Sequence, residues 1–322
     1  MKFRPISHSW VALHPQPQGV IQFIAGAFFG TFAPTFFYHH LLQFLFDRGY
    51  TLIVLPFNFT FDHYREAGFL IKEQYEILPE LIRISKLEGY NYEIYLDDRH
   101  FSWLGHSLGC KYISLLEVFS GLPVDPADRS KFIAKLLSPI SDKKQIELIE
   151  REIDILVEEL TFKIDKTQQL IASYVGCNAR INSLFIKDQK SVFLAPDISD
   201  TASAIRPQFL ADFIDSLGWG VRPTPNETFT SIQQSQLFNL LGLVRFKSDN
   251  IGKPTCDWFA DTLNKPPSDF LKSLTGGHLK PLGVRVNGAV VNPFDRPWFQ
   301  PLARRNLEFE LSAIDLFSSL DK

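Results

Sequence analysis

Short apolar runs alternate with amphipathic stretches along most of this chain. Trp10–Leu13 and Val20–Ala25 are two such runs, and the turn-forming segment Pro15-Gln16-Pro17-Gln18-Gly19 separates them. Both predict strands. Phe36–Asp47, stopping near Gly49, predicts a helix, and Thr51–Pro56 predicts another strand. Glu73–Glu88, ending at Gly89, predicts a helix. Phe101–Leu104 then predicts a strand, and Cys110–Phe119 a helix. The strands are almost continuously apolar, as expected where both faces of a sheet are covered. Their alternation with helices predicts the α/β class, with a mostly parallel central sheet flanked by helices.

The rhythm breaks between Ser120 and Gln189. Within this stretch Ile146, Ile149, Ile153, Leu156, Leu160 and Ile164 recur at spacings of three and four, which predicts one long amphipathic helix over Lys143–Ser173. Asp142 is placed to cap it. Its charged face (Lys144, Glu147, Glu150, Arg151, Asp154, Glu158) reads most simply as a solvated side. The βα alternation resumes with strands at Ser191–Ala195, Leu240–Phe246 and Phe270–Leu274. Helices are predicted at Trp258–Leu263 and Leu307–Leu320. The expected organisation is one α/β core over 1–120 and 190–322, with 121–189 inserted as a helical cap over the catalytic face.

Candidate chemistry starts at Gly105-His106-Ser107-Leu108-Gly109. This G-x-S-x-G lies between a predicted strand and a predicted helix, which is the context that gives the motif mechanical meaning. A sharp strand-to-helix turn lifts the Ser107 hydroxyl clear of the backbone, and the glycines allow the turn to be tight. A serine hydroxyl needs a base, and the base needs an orienting carboxylate. Of the eight histidines, His278 is the one that follows the elbow with room for an acid between. It sits in Thr275-Gly276-Gly277-His278-Leu279, just past a strand end. Asp249 lies three residues past the end of Leu240–Phe246 and 29 residues before His278, which makes it the candidate acid. Asp197, at the end of the preceding strand, is the alternative acid. Oxyanion donors are expected from the amide of Leu108 and from Ala27 or Phe28 in the loop after the early strand. His106 is expected to pack beside the elbow.

The composition restricts partners more than it identifies them. A net charge of −3 without a basic run excludes the usual nucleic-acid binders. Three scattered cysteines give neither a disulfide framework nor zinc spacing. His39-His40 lacks a third ligand, and there is no dinucleotide or phosphate-loop motif, so no cofactor and no metal is expected. Met1–Pro17 lacks an apolar signal-peptide core, and Gly26, Gly30 and Pro34 interrupt the apolar run Val20–Phe37. The expectation is therefore a protein without an integral membrane segment, in a reducing compartment such as the cytoplasm or a plastid stroma. Phenylalanine is abundant, with 30 Phe against one Met. Most of it reads as core, while Phe28, Phe29, Phe32, Phe36 and Phe37 near the oxyanion loop suggest an apolar substrate.

The elbow, the loop around Asp249 and Gly276-Gly277-His278-Leu279 together resemble the α/β-hydrolase superfamily. With Gly26-Ala27-Phe28-Phe29-Gly30 and Leu104–Lys111 included, the chain resembles an uncharacterised branch of cyanobacteria and plastids, the domain-of-unknown-function 1350 family. The superfamily implies a cofactor-independent Ser-His-Asp triad acting on an ester or thioester, here one with an apolar, lipid-like part. The branch implies no settled substrate. Acyl transfer with the same triad and non-catalytic lipid or pigment binding are the alternatives. Ala25-Gly26 stands where many superfamily members carry His-Gly, a departure within the oxyanion loop.

Overall fold

The computed structural model describes residues 1–123, 125–136, 143–181, 189–198, 221–235, 238–286, 289–292 and 307–320. Eight strands form one sheet: β1 (Arg4–Ile6), β2 (Ser9–Ala12), β3 (Gly19–Ile24), β4 (Tyr50–Val54), β5 (Phe101–His106), β6 (Lys190–Leu194), β7 (Leu241–Phe246) and β8 (Leu271–Leu274). Their spatial order is β1-β2-β4-β3-β5-β6-β7-β8. β1 and β2 pair antiparallel, β2 joins β4 antiparallel, and every pairing from β4 through β8 is parallel. The chain leaves β3 to build one half of the sheet and crosses back at β5 to build the other. The ends of β3 and β5 therefore face a crevice, where open α/β sheets place their ligands. This sheet and its flanking helices form the α/β-hydrolase fold.

The sheet is covered on both faces, and strand side chains alternate between the two cores. Trp103 of β5, Phe193 of β6 and Leu243 of β7 point into one core; Leu104, Leu194 and Val244, one residue on, point into the other. The first core lies under α4 (His63–Leu87) and α5 (Leu108–Phe119). The second lies under α3 (His39–Phe46) and the C-terminal helix, Glu308–Ser319.

The predicted helix Phe36–Asp47 is divided. Short helices α1 (Ala27–Thr31) and α2 (Pro34–Phe37) precede α3, and Tyr38 breaks the run with φ −105° and ψ 16°. α4 begins ten residues earlier than its apolar spacing suggested. The Asp62 carboxylate caps it by accepting from the Arg65 amide at 3.1 Å.

The stretch 121–189 contains α6 (Pro126–Leu136) and α7 (Lys143–Val175). α7 runs beside α4 in the same direction. Leu156 packs at Gly68, Lys72 Nζ meets Glu159 at 2.9 Å, and the Thr167 hydroxyl donates to the Tyr75 carbonyl at 3.0 Å. Pro79 has no N–H for the Tyr75 carbonyl, and the α7 threonine supplies the missing donor. In the described residues α7 thus adds a further layer on α4, at one flank of the sheet. Asp142, expected as the α7 cap, lies outside the described residues. Past β6 come α8 (Pro225–Ser235) and α9 (Lys253–Asp257), and the predicted helix Trp258–Leu263 is a wider π-type continuation of α9 over Trp258–Thr262. A hairpin of β9 (Val284–Val286) and β10 (Ala289–Val291) precedes the C-terminal helix. No helix among the described residues is long and apolar enough to cross a membrane.

Candidate active site

Ser107 occupies the corner between β5 and α5. Its backbone has φ 53° and ψ −122°, a conformation that non-glycine residues rarely adopt. Neighbouring strands hold it there. The Ser107 amide donates to the Leu194 carbonyl at 3.1 Å, and the Asp197 amide donates to the Ser107 carbonyl at 3.2 Å. Gly109 is required for the turn to approach β3, because a Cβ there would stand 2.1 Å from the Ile24 carbonyl oxygen. A Cβ at Gly105 would reach within 2.8 Å of Ile113 and 3.0 Å of the Cys110 amide.

His278 lies in the loop beyond β8, and Asp249 in the loop beyond β7. The fold brings both to Ser107. The His278 Nε2 stands 2.8 Å from the Ser107 hydroxyl, and its Nδ1 lies 3.1 and 3.0 Å from the two carboxylate oxygens of Asp249. An ionised carboxylate can only accept, so Nδ1 carries the imidazole proton and Nε2 is free to accept from the serine. Asp249 is 2% exposed. Burial pushes its carboxyl upward, but the His278 hydrogen bond and charge, with the amides of Gly252 and Ile251, outweigh that and hold it below the ordinary value. Those amides donate to Asp249 Oδ1 at 2.8 and 2.9 Å. Asp197 lines the same cavity, while the carboxylate at His278 Nδ1 is that of Asp249.

The cavity at Ser107 has a volume of about 450 Å³. Ala27, Phe57, Phe61, Leu108, Val221 and Ile251 give it apolar walls; Asn58, His63 and Asn250 add polar points. Ala27 and Phe28 open α1, and Leu108 opens α5; first-turn amides have no acceptor within their own helix. Ala27 and Leu108 line the cavity, whereas the Phe28 ring is 59% exposed. Phe32, Phe36 and Phe59 are also more than half exposed, and of these Phe59 lines the cavity. No described residue of α6 or α7 lines this cavity. A larger one, about 750 Å³, lies between α4 and α7 and contains none of Ser107, Asp249 and His278.

Two buried histidines near the site escaped the sequence reading in their roles. His63 lines the cavity; its Nε2–H donates to the Thr60 carbonyl at 3.1 Å, and burial followed by the Lys111 charge lowers its pKa to about 3. Only the Asp62 cap just before it hinted that this residue starts a helix. His106 is fully buried and does pack beside the elbow, with ring nitrogens 2.6 Å from the Tyr38 hydroxyl and 2.9 Å from the His278 carbonyl. Burial and the neighbouring His278 lower its pKa to about 3. No group of three His, Cys, Asp or Glu among the described residues is arranged to hold a metal ion.

A family model described as "Protein of unknown function (DUF1350)" matches residues 2–175, from β1 to the end of α7 and through the elbow. The chain belongs to the DUF1350 family. Asp249 and His278 of this DUF1350 member lie beyond the matched stretch. A search of curated proteins found no match. Among solved structures it is similar to a tributyrin-phosphonate-inhibited esterase B from Lactobacillus rhamnosis, at 13% identity and TM-score 0.41, over 80% of this chain and 65% of that one. A second esterase B structure gives 13% identity and TM-score 0.46 over 95% and 78%. Butyrate-bound esterase 2 from Thermogutta terrifontis gives 10% identity and TM-score 0.39 over 99% and 90%.

Proposed function

We propose that this DUF1350 member is a serine hydrolase of carboxylic esters or thioesters with an apolar acyl or alcohol part. The observation that carries the reading is the continuous hydrogen-bond line from the Ser107 hydroxyl through His278 to Asp249. Ser107 Oγ attacks the carbonyl carbon while His278 Nε2 takes its proton. Asp249 holds the imidazole in the required tautomer and stabilises the imidazolium. The amides of Leu108 and of Ala27 or Phe28 are the donors for the oxyanion. Collapse of the tetrahedral intermediate passes the proton to the leaving alcohol or thiol and leaves an acyl-Ser107. Water, deprotonated by His278, then attacks the acyl carbon; the bond to Ser107 Oγ breaks, His278 returns the proton to that oxygen, and the carboxylic acid departs.

The apolar substrate rests on the cavity walls, the exposed Phe59 among them. The cavity's volume falls within the range of small-molecule sites. Hydrolysis of p-nitrophenyl esters of increasing chain length by wild type and Ser107→Ala tests the reading. Wild type should turn over, with the rate rising from acetate to medium-length chains, and S107A should lose about 10³-fold or more. Equal rates for the two proteins overturn it.

A further inference from the structure

Three segments far apart in sequence meet behind the candidate nucleophile: the loop that starts α1, the elbow, and the loop bearing His278. The Gly26 amide lies 3.2 Å from the Tyr38 hydroxyl, that hydroxyl lies 2.6 Å from His106 Nδ1, and His106 Nε2 lies 2.9 Å from the His278 carbonyl. Every direction in this chain is forced. The His278 carbonyl can only accept, so His106 Nε2 carries the proton. Nδ1 of the neutral ring is then an acceptor, so Tyr38 donates to it. The Tyr38 oxygen in turn accepts from the Gly26 amide. All donors and acceptors are satisfied by one tautomer of a neutral His106, and Tyr38 and His106 are both fully buried.

We infer that Tyr38 and His106 form a positioning relay that fixes the His278 loop and the oxyanion loop relative to Ser107. The inference rests on the hydrolase reading for its kinetic consequences only. Two further contacts tie the same parts together: the Gly283 amide donates to the Phe37 carbonyl at 2.8 Å, and the His40 amide donates to the Gly283 carbonyl at 3.0 Å. These hold the far side of the His278 loop to the α2–α3 junction, and the relay holds the near side. The helix break at Tyr38 becomes intelligible in the same way, because its hydroxyl must reach both Gly26 and His106. There is little slack. A Cβ at Gly26 would stand 3.1 Å from His106 Nδ1 and 3.2 Å from the Ser107 Cβ. Neither residue touches the reacting atoms. They act by setting where His278 Nε2 points, and displacements of about 1 Å at such a group cost about 10²-fold in rate.

The test compares wild type with Tyr38→Phe, His106→Phe and His106→Gln. Phenylalanine keeps a ring but cuts the relay, whereas glutamine keeps one donor and one acceptor. Kinetics are followed with a p-nitrophenyl ester, and the Nδ1 proton of His278 by low-field proton NMR on the same samples. The expected result is a fall in kcat of about 10- to 100-fold for Y38F and H106F. KM should stay within about twofold, and H106Q should recover most of the loss. The Y38F/H106F double variant should be no worse than H106F, since one chain is cut only once. The His278 proton should shift or broaden in Y38F and H106F and return in H106Q. If folded Y38F and H106F keep both the wild-type kcat and the wild-type His278 signal, the relay is overturned. If wild type itself fails to turn over while the His278 signal still depends on Tyr38 and His106, the hydrolase reading fails and the relay stands.

Discussion

Gly252 offers a sharp test of how Asp249 is held. Its backbone has φ −77° and ψ −17°, which any residue can adopt, so alanine meets no conformational penalty. The added Cβ is the whole perturbation. It would stand 2.5 Å from Asp249 Oδ2, with the carbon and oxygen of Ala195 at 3.1 Å blocking its retreat. Ordinary contact begins at 3.4 Å, so the carboxylate must withdraw by about 0.9 Å (3.4 less 2.5). Oδ2 and Oδ1 now lie 3.0 and 3.1 Å from His278 Nδ1, and a withdrawal of that size away from the imidazole stretches both contacts past hydrogen-bonding distance. A misplacement near 1 Å costs about 10²-fold in rate, or about 2.7 kcal/mol of transition-state stabilisation. The folded state should lose less. Overpacking costs about 1–3 kcal/mol, and the stiffer unfolded chain returns about 0.4–1 kcal/mol. Gly252→Ala is therefore expected to melt as a folded protein while its kcat/KM for a p-nitrophenyl ester falls about 100-fold. Activity within threefold of wild type would refute this reasoning, because Asp249 would then not need its observed position.

Gly68→Ala should do the reverse: it lies inside α4, where an added Cβ would meet only Leu156 at 3.4 Å, so stability should rise by about 0.5–1 kcal/mol in urea melts with esterase activity unchanged. Acid should destabilise the protein through His106 and His63, whose folded pKa values near 3 lie below the ordinary histidine value. The unfolded chain then binds more protons between about pH 6.5 and 3, and stability falls as pH drops through that window, by roughly 2 kcal/mol per histidine at pH 5. His106→Gln should flatten this dependence, and identical slopes for wild type and H106Q in urea melts at pH 7 and 5 would contradict the assignment. Asp62→Ala should cost about 1 kcal/mol by removing the α4 cap, read as a lower urea midpoint at constant slope.

The strands were the most legible part of this sequence, for a physical reason. Helices cover both faces of the sheet, so runs such as Val20–Ile24 and Val192–Leu194 are apolar at nearly every position and stand out from their surroundings. The elbow was legible because its geometry demands glycine at Gly105 and Gly109 on either side of Ser107. Chain order alone was enough to select Asp249 and His278 as candidates, each in a loop after a strand. Less could be read where structure depends on distant partners. Tyr38 interrupts a run that looks helical, because its hydroxyl answers to residues 12 and 68 positions away. His106 reaches 172 residues along the chain to His278, and no local pattern records that contact. The apolar spacing shortens α4 because its first turns mix His63, Arg65 and Glu66 into the pattern, and its Asp62 cap is a weaker signal than periodicity. The amphipathic pattern of α7 predicted its helix well, but an apolar stripe does not say which neighbour will cover it. That neighbour is α4.

The account depends most on Ser107 being a nucleophile activated by His278. Treatment with an alkyl fluorophosphonate followed by peptide mass mapping tests this directly. A single adduct on the peptide carrying Ser107, absent in Ser107→Ala and slowed at least 100-fold in His278→Ala, is the predicted result. An unmodified Ser107 in folded wild-type protein, under conditions that fully label a control esterase, would contradict the account.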